Sequence, residues 1–144
     1  MLEILDFNLS HLSEVLKIET ESFENPWTEK MFLDYPDKNT YFKVLTLNEK
    51  VLGYNVFQIV FNEAHILKIA VSQNYRRQGF ASKLILDFLE FSKSLNANEV
   101  FLEVRANNIN AIKFYESFNF TEIGRRPKYY GAKLDAIILR KQIQ

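Results

Sequence analysis

The sequence of 144 residues contains no cysteine, and this absence removes several kinds of chemistry. Without a thiol there is no disulfide, no cysteine nucleophile and no metal site built on cysteine. The two histidines, His11 and His65, are far apart in the sequence, and neither belongs to a cluster with the spacing of metal ligands. We therefore predict neither a metal site nor thiol chemistry.

Glycine is also scarce, and the charges cancel. Of four glycines, Gly79 alone lies in the basic loop near the middle of the chain, which excludes the dinucleotide fingerprint G-x-G-x-x-G. The chain contains neither Gly-Lys-Ser nor Gly-Lys-Thr, one of which ends a phosphate-binding P-loop, so this type of loop is excluded. Because 18 Lys and Arg residues balance 18 Asp and Glu residues, we do not predict a nucleic-acid partner.

Long apolar runs are absent as well. No stretch reaches the roughly 18 apolar residues of a membrane span, and no basic leader precedes an apolar run at the N-terminus. We therefore expect a cytoplasmic protein with no membrane partner. The length fits a single domain, residues 1–144, and the 13 Phe and 7 Tyr residues predict an aromatic core.

Hydrophobic periodicity alternates between that of helices and that of strands along the chain. We predict helices over residues 10–23 behind Ser10, 27–33 with Thr28 near the start, 80–95, and from Asn107 or Asn108 to 119. Strands are predicted over residues 41–47, 51–60, 64–71, 99–104, 120–125 and 134–139. The βαβα order after residue 63 implies at least one parallel pair in a mixed α/β sheet with helices on its faces.

A basic loop, residues 72–79, joins a predicted strand to a predicted helix. The backbone N–H groups of residues 77–82 would point outward at the start of that helix, where the dipole favours negative charge. A pyrophosphate would fit there, beside Arg76 and Arg77. The alternative is an ordinary turn with a solvated arginine pair.

Three polar side chains cluster after the next strand. Glu103 could accept a proton, Asn108 could hydrogen-bond a ligand, and the Tyr115 phenol could donate a proton. Each residue also has a structural alternative: a solvent-facing glutamate, a helix cap and a core tyrosine, respectively.

Several sequence motifs resemble one enzyme family. The order Arg76-x-x-Gly79-x-Ala81 resembles the coenzyme A signature of the GCN5-related N-acetyltransferase (GNAT) family. Residues 26–32, 102–120, 125–130 and 135–138 resemble, in the same order, the branch of bacterial ribosomal-protein-alanine N-acetyltransferases. The resemblance covers nearly the whole chain.

The resemblance implies the GNAT fold, a mixed and mostly antiparallel central sheet with splayed strands and flanking helices. It also implies acetyl-coenzyme A (acetyl-CoA) as donor, Glu103 as general base, Tyr115 as general acid, and direct attack without an acetyl-enzyme. Its cofactor contacts would fall on Ile69, Ala70, Val71, Arg76, Arg77, Gln78, Gly79, Phe80, Ala81, Ser82 and Asn108. Many relatives have glycine where this chain has Ala81, so we expect a tighter cradle.

The implied acceptor is a protein N-terminus, namely the alanine exposed on small-subunit ribosomal protein eighteen after methionine removal. At pH 7, deprotonating an α-amine costs about 1.4 kcal/mol and a lysine about 4.6 kcal/mol. Trp27, Tyr129 and Tyr130 would line the peptide site, or alternatively pack the ends of the sheet. The other readings are an enzyme that acetylates lysine, a polyamine, another small amine or an antibiotic, and a non-catalytic acetyl-CoA-binding domain. The last would need neither Glu103 nor Tyr115.

Overall fold

The computed structural model describes residues 1–130 and 134–144, and within them every side chain except those of residues 128–130. The described strands are β1 (Leu2–Asp6), β2 (Thr40–Leu47), β3 (Lys50–Val60), β4 (Glu63–Val71), β5 (Glu99–Arg105), β6 (Thr121–Tyr130) and β7 (Leu134–Gln142). The described helices are α1 (Leu12–Ser22), α2 (Glu29–Asp34), α3 (Phe80–Ser94) and α4 (Ile109–Glu116), with 3-10 turns at Leu9–His11 and Gln73–Tyr75.

The strands form one sheet in the order β1-β2-β3-β4-β5-β7-β6. Among the described residues β4 and β5 are the one parallel pair, and the other neighbours are antiparallel. This arrangement confirms the predicted mixed and mostly antiparallel sheet. The parallel pair is connected through α3, as a crossover between parallel strands requires.

The parallel strands separate soon after they meet. Their pairing ends at His65 and Phe101, after three residue pairs. On the opposite edge of β4, Val56 of β3 pairs with Lys68 and Phe57 pairs with Ile66, which leaves Leu67 as an extra residue. Such a bulge bends its strand, so β4 turns away from β5 directly after its last paired residue. The predicted splay between strands is confirmed.

Gly53 allows β3 to hold this bent strand closely. A Cβ atom at position 53 would lie 2.7 Å from the Ala70 carbonyl oxygen and 3.3 Å from the Val71 Cα. A carbon and an oxygen atom that are not bonded to each other do not approach to 2.7 Å, so a side chain at position 53 would push the end of β4 outward. Glycine therefore fixes how near the two strands run.

Helices cover both faces of the sheet. On one face α3 and α4 bury a cluster around Ile85, Phe88 and Tyr115. On the other face α1 and α2 bury a cluster around Val15, Phe32 and Tyr54. Within residues 1–130 and 134–144, no helix is both long and apolar enough to cross a bilayer.

The structure differs from the sequence predictions mainly near the N-terminus. Strand β1 was not predicted, because this edge strand alternates weakly and two of its five residues, Leu2 and Ile4, contact the core. Ser10 is not the N-cap: Asn8 accepts from the Ser10 N–H and forms a capping box with His11 before a 3-10 turn. Strands β6 and β7 are longer than predicted.

Candidate active site

A cleft of about 1020 Å³ opens where β4 and β5 separate. Its walls come from residues 65–69 of β4, residues 101–105 of β5, the loop after α1, the beginning of α4, and the two outer strands β6 and β7. Glu103, Asn108 and Tyr115 all line it. The three residues grouped by sequence therefore meet in one cleft.

The open edge of β4 presents backbone groups to this cleft. The Ser72 N–H donates to the Leu52 carbonyl on β3 at 2.7 Å, and Val71 pairs with Gly53. In an antiparallel pair, successive residues point their N–H groups alternately toward and away from the partner. The N–H groups of Ile69 and Val71 therefore point away from β3, toward the space that β5 has left. The Ala70 N–H points toward β3.

The basic loop has the backbone of an anion site. Arg77 and Gly79 both adopt positive φ angles, 63° and 84°, and alternating left-handed and right-handed residues form concave N–H nests. The first hydrogen bond of α3 runs from the Lys83 N–H to the Gly79 carbonyl at 3.2 Å. The N–H groups of Phe80–Ser82 precede that bond and lack helical partners. Among the described residues, no heavy atom lies within 4 Å of a Cβ built at Gly79, so a phosphate can approach.

Arg76 makes two hydrogen bonds within the protein. Its Nε donates to the Val71 carbonyl at 3.0 Å, and its Nη2 donates to the Ser22 hydroxyl at 2.9 Å. The side chain thereby ties the loop to the ends of β4 and α1. Arg77 and Gln78 are exposed beside it, while Ala81 and Ser82 are half-buried in the first turn of α3.

Glu103 lies on β5 and faces the α1 side of the sheet. Alternation along β5 buries Val100, Leu102 and Val104 toward α3 and α4, so Glu103 points the other way. Its side chain is 25% exposed, and its Oε1 lies 3.0 Å from the Nε of Arg126 on β6. The sequence assigned no role to Arg126. Its cross-sheet position depends on the order β5-β7-β6, which local patterns do not encode.

Tyr115 reaches the cleft from α4. The residue is 7% exposed and packs edge-on against Phe114 and Phe120. Burial raises the pKa of its phenol above the ordinary value of 10.0. Among the described residues, no hydrogen-bond partner is found for its hydroxyl group. The phenol is therefore held protonated and able to donate.

Asn108 and Trp27 each stabilise the fold locally and also line the cleft. Asn108 caps α4, because its Oδ1 accepts from the Ala111 N–H at 3.2 Å. Trp27 is half-buried in the loop between α1 and α2 and packs against the rings of Phe32 and Tyr35. Both residues line the cleft.

The side chains of Tyr129 and Tyr130 lie outside the described part of the structure, so their predicted place in the peptide site stays a prediction.

Comparison with known proteins identifies the family. The model of the Acetyltransferase (GNAT) family matches residues 12–120. The chain belongs to this GNAT family. It is 32% identical over 139 residues to the [ribosomal protein bS18]-alanine N-acetyltransferase of Escherichia coli strain K12, and the alignment covers 94% of each chain.

Solved GNAT structures resemble the whole chain. The ribosomal-protein-S18-alanine N-acetyltransferase from Escherichia coli superposes with a TM-score of 0.93 at 32% identity, over 100% of this chain and 95% of that one. Ard1 from Thermoplasma volcanium gives 0.90 at 30% identity, over 99% and 98%. The protein is an N-acetyltransferase with the GNAT fold, and acetyl-CoA is its donor. The nest of backbone N–H groups in the loop before α3 fits the pyrophosphate of this donor.

Around this GNAT cleft lie further residues that sequence reasoning missed. Glu19 on α1 is fully buried and accepts from the Trp27 N–H at 2.8 Å and the Lys68 ammonium at 2.8 Å. The Arg105 Nη1 donates to Glu24 at 2.8 Å, which joins β5 to the loop after α1. A glutamate on an apolar helix face is the one sequence signal that could have revealed Glu19. Within the described residues, no three His, Asp or Glu side chains gather as metal ligands would.

Proposed function

We propose that this enzyme acetylates the N-terminal α-amino group of a protein, and that the acceptor is the alanine of small-subunit ribosomal protein bS18. The supporting observation is the similarity to the Escherichia coli enzyme of that name over 94% of the chain. In this proposal residues 1–144 act as one acetyltransferase domain. The acceptor enters past Trp27 on the α1 side, and Tyr129 and Tyr130 remain the other proposed contacts of the peptide.

Acetyl-CoA supplies an acetyl group as a thioester, and the chain holds this donor along its backbone. The Ile69 N–H receives the extended pantetheine arm as it would receive an additional strand, and the Val71 N–H faces the thioester end of the donor. The N–H groups of residues 77–82 hold the pyrophosphate, with Arg76 keeping that loop in place. Ala70 contacts the donor from the same strand, and Asn108 contacts it from the start of α4.

The proton-transfer groups approach from opposite faces of the sheet. Glu103, on the α1 side, takes the proton that the attacking nitrogen loses, directly or through a water. Tyr115, on the α4 side, gives its proton to the departing thiolate. The Val71 N–H points into the cleft and stabilises the oxygen that becomes negative during attack. As the family resemblance implies, transfer proceeds directly from donor to amine, without an acetyl-enzyme.

An α-amine is a better acceptor for this site than a lysine side chain, because it loses its proton at a lower cost in free energy. At pH 7, roughly one-tenth of an α-amine with pKa about 8 is already neutral, whereas a lysine amine near 10.4 is almost entirely protonated. The difference is about 3 kcal/mol of deprotonation that the site need not supply. Positioning of the amine therefore contributes more than base strength.

The test is release of coenzyme A from acetyl-CoA in the presence of a short peptide that begins Ala-Arg-Tyr. The matched control is the same peptide with its α-amine blocked, and free lysine and a polyamine serve as competing acceptors. We expect turnover with the free α-amine and none with the blocked peptide. Turnover with lysine or the polyamine alone would overturn the α-amine assignment. Binding of acetyl-CoA without turnover of any amine would favour a non-catalytic domain.

The Glu103→Gln variant tests the base in the same assay. We expect its deficit to be greatest at low pH and to shrink as the amine loses its proton unaided. A deficit that is independent of pH would make Glu103 a positioning or structural residue.

A further inference from the structure

His65 is a group in the cleft that the chemistry above does not use. It is the last residue of β4 that pairs with β5, its side chain is 41% exposed, and it lines the same cleft as Glu103. Imidazole is the side chain that ordinarily titrates near neutral pH. Among the described residues that line the cleft, His65 is the one histidine.

Two contacts fix the orientation of the His65 ring. Its Nε2 lies 3.1 Å from Glu63 Oε1, and its face stacks on Phe101 with 5.3 Å between ring centres and 20° between planes. An ionised carboxylate only accepts hydrogen bonds, so Nε2 carries the proton in this pair. Nδ1 is then the atom with the free lone pair. His65 is thus a proton acceptor that a neighbouring carboxylate orients and stabilises when charged.

Sheet geometry places His65 near the general base. Phe101 and Glu103 are two residues apart on β5 and share a face, and His65 lies directly opposite Phe101. Both side chains line the same cleft, where water can connect them. The strands separate beyond this point, so the space between the two groups opens into the cleft.

We propose that His65 is a proton relay for the acceptor amine, a role that rests on the proposed acetylation of an amine. Before attack, the acceptor ammonium gives one proton through water to Nδ1 of His65, and the imidazolium releases it to solvent. During attack, the nitrogen gives its second proton to Glu103 while Tyr115 protonates the sulfur of the leaving thiolate. Glu103 then returns its proton through water to the phenolate. One proton per turnover leaves the site, as acetylation of an ammonium requires.

Charged groups on four strands surround His65. They are Glu63 on its own strand, Glu99 and Glu103 on β5, Arg140 of β7, which is bound to Glu99, and Arg126 of β6, which is bound to Glu103; on β3 the neutral Gln58 pairs with His65.

Two substitutions separate proton transfer from packing. His65→Phe keeps an aromatic ring stacked on Phe101 but has no basic nitrogen, and His65→Ala leaves room for free imidazole. In both variants we expect kcat/KM for the peptide to fall about 10-fold at pH 6.5, less than a lone general base would give because Glu103 remains. The KM for acetyl-CoA should not change. Added imidazole should restore His65→Ala and leave His65→Phe impaired.

The pH profile gives the second readout. Both deficits should shrink toward pH 9, where an α-amine is already mostly neutral. Glu63→Gln should show a smaller deficit with the same pH dependence, because it removes the charge beside the imidazolium. An unchanged kcat/KM, a deficit independent of pH, or failure of imidazole to restore His65→Ala would overturn the relay. If the wild-type enzyme acetylates a lysine or polyamine instead of the peptide, the proposed acceptor is wrong, and the same variants test the relay on that amine.

Discussion

The two edges of strand β4 differ sharply, and the difference explains how the fold supports chemistry. Toward β3, β4 is paired along eight residue positions, with Gly53 letting the backbones approach closely. Toward β5, pairing stops after three positions and a cleft begins. Stability comes from the closed edge, so the open edge can keep its N–H groups available for a ligand. We call these the closed edge and the open edge of β4.

Two buried tyrosines, Tyr54 and Tyr115, differ in the same way as the closed and open edges of β4. Burial raises the pKa of both Tyr54 and Tyr115, and for Tyr54 the neighbouring Glu19 adds to the effect. The Tyr54 hydroxyl, behind the closed edge, donates to the Glu19 carboxylate. The Tyr115 hydroxyl, at the open edge, has no such partner among the described residues. A phenol already bound to a carboxylate is structural, whereas an unpartnered one in a cleft is available to a substrate.

The largest expected effect comes from breaking the closed side with Glu19→Gln. This change leaves the Lys68 ammonium, whose side chain is 13% exposed, without its ion-pair partner. Removing one member of a buried pair typically costs about 3–5 kcal/mol. We expect a loss near the lower figure, because Lys68 reaches some solvent, measured as the free energy of unfolding in urea.

Glu14→Gln on the same helix is the matched control for Glu19. Glu14 is half-buried and accepts from the Val51 N–H at 3.0 Å, but no ion pair is found for it among the described residues. Glutamine retains an oxygen acceptor, so the change should cost less than about 0.5 kcal/mol. Equal losses in the two variants would show that the Lys68 pair contributes nothing special.

The next effect concerns the open edge: Tyr115→Phe should lower kcat by about 10²-fold or more. That factor corresponds to about 2.7 kcal/mol of barrier. Affinity for acetyl-CoA and stability should change little, since no hydrogen bond of this hydroxyl is found within the described part of the chain. Because burial raises its pKa, the phenol stays protonated below its ordinary pKa of 10.0, and turnover should not decline through its ionisation over that range.

Tyr54→Phe gives the reciprocal result and sharpens the contrast. It removes a hydrogen bond to a charged acceptor, which should cost about 1.5–3 kcal/mol of stability and leave kcat nearly unchanged at a temperature where the variant is folded. If Tyr115→Phe keeps full turnover, or if Tyr54→Phe abolishes it without unfolding, the assignment of the two phenols is wrong.

Local patterns predicted most elements correctly because those elements carry strong periodicity. Helix α3, expected over 80–95 and found at Phe80–Ser94, has a buried stripe that includes Leu84, Ile85 and Phe88. Thr28 and Asn108 were also identified as residues at helix starts, since their side chains accept from N–H groups in the first turn. Strand β1 was missed because a mostly exposed edge strand lacks this periodicity.

Long-range pairs in the site could not be predicted in the same way. Arg126 reaches Glu103 because β7 lies between β5 and β6, and the buried Glu19 reaches Lys68 across 49 residues of sequence. Such contacts depend on strand order and on which face each residue takes. Sequence patterns identified Glu103 and Tyr115 and the family resemblance assigned their roles, but neither revealed the partners that orient the cleft.

We expect a smaller effect from Gly53→Ala, because the added methyl group would clash with the backbone of β4 at the closed edge. Its Cβ would lie 2.7 Å from the Ala70 carbonyl oxygen, a backbone atom that cannot rotate away. Overpacking of this kind costs about 1–3 kcal/mol. Because the displaced segment also carries the Val71 N–H, we expect both a lower melting temperature and a higher KM for acetyl-CoA. Gly124→Ala, where the nearest described atom is 3.7 Å away, is the control and should be nearly neutral.

The smallest effect tests the point where the open edge begins. Glu99, opposite Glu63 in the last paired segment, accepts from the Arg140 Nη2 at 2.9 Å, and this hydrogen bond lowers the pKa of its carboxyl below 4.5. A lowered pKa stabilises the fold above pH 4.5, and the contribution is lost as pH falls through the folded-state value. Glu99→Gln should therefore lower the urea midpoint slightly at pH 7 and not at all at pH 2. High salt should reduce the difference at pH 7, because exposed ion pairs are screened. If Glu99→Gln instead lowered turnover strongly with an unchanged urea midpoint, this pair would help hold the cleft open and would belong to the active site.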